Sequence, residues 1–404
     1  PIPGANRDYF QAWFAQQTGD AFNFFDAFTG GSFTSMSLFA LGITPYITSS
    51  IIVQLLTIAI PKLEEMQKDG EDGRKKIQTI SRYLTVALAL IESIAMTVGF
   101  GSRGLLAANT IPNKIVVIAA MTAGSAFLMW IGEEITEHGV GNGISIVLLI
   151  NIVSRIPDDF VTLFNQFMKG QTILNAVVAA VVIIAVVLVT VVFVIFLQDG
   201  ERRIPVQYAK KMQGRKMVGG QSTNIPLKVN TAGVIPVIFA SSLMSFPNVI
   251  ASLLGKTGGT GIGSKIMTGL SQSSWCDPSR PIYSLGLVLY IVLVVFFAYF
   301  YTSITFNPIE ISNNMKRQGG FIPGIRPGKP TTEYLSRILN YIVFIGAVGL
   351  IIVCVIPIFF NGMFGANVSF GGTSIIIIVG VVLETLKQIE SQMLVRYYKG
   401  FLND

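Results

Sequence analysis

The sequence predicts an all-α, polytopic membrane protein. Three observations carry that expectation. Of 404 residues, 51% are hydrophobic and only 13% charged, about half the charged share of a typical soluble domain. The run Ile173–Leu197 is 25 residues without a charge, longer at about 1.5 Å per residue than the roughly 30 Å hydrocarbon layer. Basic residues are also concentrated in alternate loops, as the positive-inside rule requires.

Nine spans are expected, near 37–60, 77–100, 114–132, 143–156, 173–197, 231–254, 282–306, 335–360 and 371–395. The fourth is short and is expected to end at Arg155 and Pro157. The loops 62–76, 198–230, 307–337 and the tail 396–404 hold 19 Lys and Arg, whereas the alternate set, 1–36, 101–113, 157–172, 256–281 and 361–370, holds six. The first set is therefore expected on the cytoplasmic side, with the leading segment outside and the tail inside. The net charge of +7 mostly reflects this asymmetry. No cleavable signal peptide is visible, and the opening PIPGAN reads as a loop.

Before the first span, Asn23, Phe24, Phe25, Asp26, Ala27, Phe28, Thr29, Gly30, Gly31, Ser32 and Phe33 form an aromatic, Gly-rich stretch too short to cross a membrane. It reads either as an interfacial anchor or as a half-helix folded back into protein, where irregular backbone at membrane depth survives. The loops 198–230 and 307–337 exceed what a chain reversal needs, which suggests docking surfaces. In the first, Lys210, Lys211, Arg215 and Lys216 flank Gln213–Gly214, which reads as a hairpin tip. In the second, Gly and Pro shape a stiff tip around Arg326.

Enzyme chemistry finds no constellation. GKTGGTG at 255–261 lacks the earlier glycine of a phosphate loop, position 250 being Ile. Glu133, Glu134, Glu137 and His138 do not form HExxH. Cys276 and Cys354 are far apart and make neither a disulfide framework nor a metal site; Cys276 falls in a polar loop and reads as an exposed thiol or an introduced handle. Charges within spans are few, which argues against a transporter's midplane ion site. The best case is Glu92, expected to face a polar seam.

Three spans instead combine aliphatic knobs with Gly, Pro and small hydroxyls. Ile43 and Ile47 stand four apart and share a helix face, beside Thr44 and Thr48. Pro45 is expected to free a backbone carbonyl toward a watery cavity. Ile144 and Leu148 repeat the spacing after Asn142, and Ile238 lies between Pro236 and Ser241–Ser242. Tight packing through small residues needs the same composition, so a passage and a packed bundle both fit.

Four segments, GGSFTSMSLFALGITPYITSSIIVQLL, RRIPVQYAKKMQGRKMVGGQSTNIPLKVNTAGVIPVIFASS, QGGFIPGIRPGKPTTEYL and SFGGTSIIIIVGVVLETLKQIESQ, resemble bacterial SecY, the central channel subunit of the Sec protein translocase. The likeness covers essentially the whole chain. It implies the SecY fold, two inverted five-helix halves around an hourglass pore, with the first of ten spans absent from this sequence. The N-terminal half is then 37–172, with spans two to five, and the C-terminal half 173–395, with spans six to ten. The resemblance further implies a pore ring of Ile43, Ile47, Ile144, Leu148, Ile238 and Ile377, a plug at Asn23–Phe33, and a lateral seam near Thr48, Glu92 and Phe246. Leu148 stands where isoleucine is expected and keeps the ring apolar. By the same resemblance the loops dock the SecA motor ATPase or the ribosome, through Arg326 first and Arg215, Lys216, Lys210 and Lys211 second. SecE and SecG are the implied companion subunits; signal peptides and unfolded preproteins are the substrates, and lipid receives what leaves the seam. No cofactor or enzymatic activity is expected, and the location implied is the bacterial plasma membrane.

Overall fold

The computed structural model describes residues 2–16, 26, 29–69, 71–101, 106, 108–168, 173–208, 211–213, 216–218, 222–253, 262–270, 274–276, 281–364 and 372–400. The helices are α1 (Arg7–Gln16), α2 (Thr44–Ala59), α3 (Pro61–Lys68), α4 (Glu71–Phe100), α5 (Ile111–His138), α6 (Gly143–Phe167), α7 (Ile173–Asp199), α8 (Ile235–Leu253), α9 (Ile262–Leu270), α10 (Leu285–Thr305), α11 (Pro308–Arg317), α12 (Lys329–Phe364) and α13 (Gly372–Gly400). Short strands are β1 (Glu201–Tyr208), β2 (Lys211–Gln213), β3 (Lys216–Val218), β4 (Ser222–Lys228) and β5 (Gly320–Phe321).

Each of the nine expected windows carries a helix. Among the described residues, five helices are long and apolar enough to cross a membrane, and α2 with α3 makes a sixth if that pair, bent by 108°, is one span. The chain is a multi-pass membrane protein. Several boundaries differ from expectation. The first helix begins at Thr44, because residues 37–43 form turns that require Gly42 at φ +57°. Pro45 consequently sits in the first turn, where a missing N–H costs nothing, and not in the helix interior where it would free a carbonyl. The fourth helix runs through Pro157 to Phe167, so part of the loop expected at 157–172 is helical. Helices α1, α3, α9 and α11 likewise occupy segments read as loop.

The chain divides into two compact units. The first comprises 1–182, 243–287 and 357–404; the second comprises 183–242 and 288–356.

In the first unit α2 packs on α4, α4 on α5, α5 on α6, and α6 on α13. Small residues permit close approach. Ser49 Oγ donates to the Ser81 carbonyl at 2.7 Å, and Thr85 Oγ1 donates to Ser49 Oγ at 3.0 Å. Ser49 is fully buried, so this hydroxyl of the first span serves packing. A side chain at Gly124 would strike the Leu38 carbonyl, and one at Gly132 would strike Ile144. Ile2, Phe10, Phe33 and Met36 of the leading segment pack with Ala89, Met96, Val117 and Met121 of α4 and α5.

In the second unit the strand order is β4-β1-β5, and β1 buries Ile204 and Val206 at alternate positions. β5 pairs Phe321 with Gln207 and Gly320 with Tyr208, which joins the two long loops into one platform. Beneath lie Leu227, Met315, Ile322, Leu335, Ile338 and Ile342.

Candidate functional site

None of the six ring candidates is exposed. Ile43, Leu148 and Ile377 are 1%, 6% and 3% exposed, and Ile47, Ile144 and Ile238 are half-buried. Ile43 is the residue before α2 rather than part of it, with φ −96° and ψ 1°. Its carbonyl nonetheless accepts from the N–H groups of Tyr46 and Ile47, so the two isoleucines remain close along the chain. Ile144 and Leu148 occupy α6, whose start is capped by Asn142 accepting from the Ser145 N–H at 3.2 Å. Ile377 lies on α13, which is tied to the turn before α6 by the Gly141 N–H donating to Gln388 Oε1. These five belong to the first unit; Ile238, on α8, belongs to the second. Thr44 Oγ1, next to Ile43, is buried without a hydrogen-bond partner.

Of the plug candidates, Asn23, Phe24, Phe25, Ala27 and Phe28 lie outside the described residues. The remainder folds back as compact turns. Asp26 Oδ1 accepts from the Thr34 N–H at 3.0 Å, Thr29 Oγ1 accepts from the Phe33 N–H at 3.2 Å, and Phe33 meets Phe10 edge-on at 5.5 Å between ring centroids. Asp26 also pairs with Arg155 Nη1 of α6. Gly30, at φ +63°, comes so close to α6 that a Cβ would stand 3.0 Å from the Asn151 carbonyl oxygen and from Ser154 Oγ. Nothing local in sequence points to the ion pair: Arg155 reads as the end of a span, and its partner lies 129 residues away.

A second ion pair was also invisible in sequence. Arg82 Nε of α4 donates to Glu133 Oε1 of α5 at 2.7 Å. Thr48, expected at the seam, lies half-buried on α2, its hydroxyl donating to the Thr44 carbonyl at 3.1 Å. Glu92 is half-buried on the adjoining α4. Phe246 falls within α8, its side chain outside the described residues.

Among the docking candidates, Lys210 and Arg215 lie outside the described residues. Lys211 and Lys216 begin β2 and β3, whose register sets Gln213 opposite Lys216 and makes the expected hairpin. Arg326 is exposed. Its loop is held from below by buried Ile322, whose carbonyl accepts from the Ile325 N–H at 3.0 Å, and by Thr331 Oγ1 donating to the Arg326 carbonyl at 2.8 Å. Gly324 and Gly328, at φ +83° and +104°, supply the turns on either side. Cys276, expected exposed, is half-buried beside fully buried Trp275, and burial pushes its thiol pKa up. Among the described residues no group of three or more His, Cys, Asp or Glu is placed to hold a metal.

Comparison with known proteins gives a consistent result. The SecY family model matches residues 37–386. The protein translocase subunit SecY of Mycobacterium tuberculosis (strain ATCC 25618 / H37Rv) is 43% identical, covering all of this chain and 92% of its own length. A solved SecY, described as having a plug domain that stabilises the closed state of the translocation channel and maintains a membrane seal, superposes with TM-score 0.60 at 20% identity, over 88% of this chain and 83% of that one. Sec61 in the canine ribosome-channel complex from the endoplasmic reticulum superposes with TM-score 0.59 at 19% identity, over 92% and 84%. With a family match over most of its length and full-length relatives above two-fifths identity, the chain belongs to the SecY family.

Proposed function

We propose that this chain is a protein-conducting channel that passes unfolded secretory proteins across the bacterial plasma membrane and releases signal or transmembrane segments sideways into lipid. The observation that carries the reading is the shared stripe on α6. Ile144, Leu148, Asn151 and Arg155 recur at the spacing of one helix face. Its first two residues are ring candidates, and the folded-back segment rests on the last two.

A channel for unfolded chains must pass many side chains yet hold back ions. An aliphatic ring suits both tasks: it makes no lasting hydrogen bonds with the passing chain and, when narrow and empty, resists wetting. The folded-back segment adds a second seal. A signal peptide's apolar core of 7–15 residues gains about 0.8 kcal/mol per buried CH₂ on entering the seam near Thr48, Glu92 and Phe246, and that differential binding shifts the population toward the open state.

The chain itself is not an enzyme in this reading, so work comes from a partner. The platform of the two long loops, with Arg326 at its tip and Lys210, Lys211, Arg215 and Lys216 on the hairpin, is the docking surface for the SecA motor or the ribosome. A guanidinium suits either a partner carboxylate or a ribosomal phosphate because its planar fork binds bidentately. SecE and SecG complete the membrane complex, and the tail after α13 faces the cytoplasm.

The test is idle ion conductance in planar bilayers. Ile43→Ser with Ile238→Ser should raise it and relax signal-sequence selectivity. A preprotein arrested in transit should crosslink to positions 43, 47 and 238. Unchanged conductance together with no crosslink would overturn the reading.

A further inference from the structure

We propose that Asp26 and Arg155 form a latch that holds the leading segment closed over the ring, so that this ion pair sets how tightly the idle channel seals. The inference rests on the reading of the chain as a protein-conducting channel.

The geometry supports it from several sides. Arg155 lies seven residues beyond Leu148 on α6, which is two turns and about 10 Å along the same face. A segment held at Arg155 therefore covers the approach to Leu148. Asp26 is almost wholly buried, its side chain 2% exposed, and Arg155 is 25% exposed. Buried carboxylates need a partner, and Arg155 supplies one to Asp26 from outside the segment. The two carboxylate oxygens divide the work. Oδ1 accepts from the Thr34 N–H and shapes the segment, while Oδ2 meets Arg155 and fastens it. Gly30 permits the approach, since any side chain there would press on Asn151 and Ser154.

The latch must also release. Asp159 is buried one turn further along α6, and residues four apart on a helix are neighbours. Its carboxylate keeps a negative charge one turn from the guanidinium whether or not Asp26 is seated. A pair on a buried face is also little screened by salt, which lets closure persist at physiological ionic strength.

The test uses the chain purified from membranes with its associated subunits and reconstituted in planar bilayers. Asp26→Asn keeps the acceptor for Thr34 and removes only the charge; it should shift the closed-to-open ratio of the idle channel by about a hundredfold. Arg155→Ala should do the same, whereas Arg155→Lys, which keeps the charge and leaves the Asp26–Thr34 bond intact, should retain most of the seal. If a single variant fails to reach the membrane, cysteines at 26 and 155, in a background lacking Cys276 and Cys354, replace it: oxidation should block preprotein transport and reduction should restore it. Idle conductance at the starting level in both single variants, while the Ile43→Ser, Ile238→Ser channel leaks, would overturn the latch and leave the channel reading intact. A crosslinked 26–155 channel that still transports would also overturn it. If the ring variant does not leak either, the channel reading itself fails.

Discussion

The two adjacent glycines of the folded-back segment allow its seat to be tested by shape alone. Gly30 and Gly31 both have left-handed backbone, at φ +63° and +80°. Alanine at either position costs about 1–2 kcal/mol of backbone strain. That strain stays with the segment whether it is seated or displaced, so it does not bias the seal. The surroundings differ. A Cβ at Gly31 meets nothing within 4 Å, whereas one at Gly30 stands 3.0 Å from the Asn151 carbonyl oxygen and Ser154 Oγ and 3.1 Å from Asn151 Cα. Two of those three atoms are helix backbone and cannot turn aside. Overpacking of this kind costs about 1–3 kcal/mol, which is roughly a 5- to 150-fold shift in the closed-to-open ratio. The assay is conductance of the reconstituted channel without substrate. Gly30→Ala should leak and Gly31→Ala should not, while thermal melting falls in both. Equal leak from the two variants would refute the claim that Gly30 is seated against α6 in the sealed state.

Reversing Arg326 to Glu should abolish motor-driven transport while the protein still folds and inserts, measured as preprotein protection from protease in membrane vesicles, because the loop is held by Ile322 and Thr331 rather than by the guanidinium. Replacing Glu133 with Ala leaves Arg82 unpaired between α4 and α5. Breaking a fully buried pair costs about 3–5 kcal/mol; with the Arg82 side chain 41% exposed, about 1–3 kcal/mol is expected, read as a lower melting temperature in detergent. The ring pair Ile43→Ser and Ile238→Ser should leak more when Asp26→Asn is added than by itself, since the ring and the segment held by the 26–155 pair close one path.

Much of the architecture could be read without coordinates. Membrane partition depends on local apolar length, so each of the nine windows read from the sequence carries a helix. The hairpin at 211–218 was legible from a charge run broken at Gln213–Gly214. Helix ends were less so. Pro157 reads as a stop in isolation, yet the packing of α6 carries the helix ten residues past it. Pro45 misled in the opposite sense, because the true start of α2 depends on turns at 37–43 that only the packing against Gly124 explains.

By itself the sequence determined that this is a membrane bundle, which loops carry charge, and which aliphatics recur at helical spacing, since each of these depends on residues a few positions apart. Tertiary structure alone decided which polar groups meet. Asp26 finds Arg155 across 129 residues, Arg82 finds Glu133 across 51, and β5 joins one long loop to the other. The reason is physical. Burial of apolar surface is non-directional and is already written in local composition, whereas an ion pair or a strand register needs two specific groups within a few ångströms, and only the packed chain sets that distance.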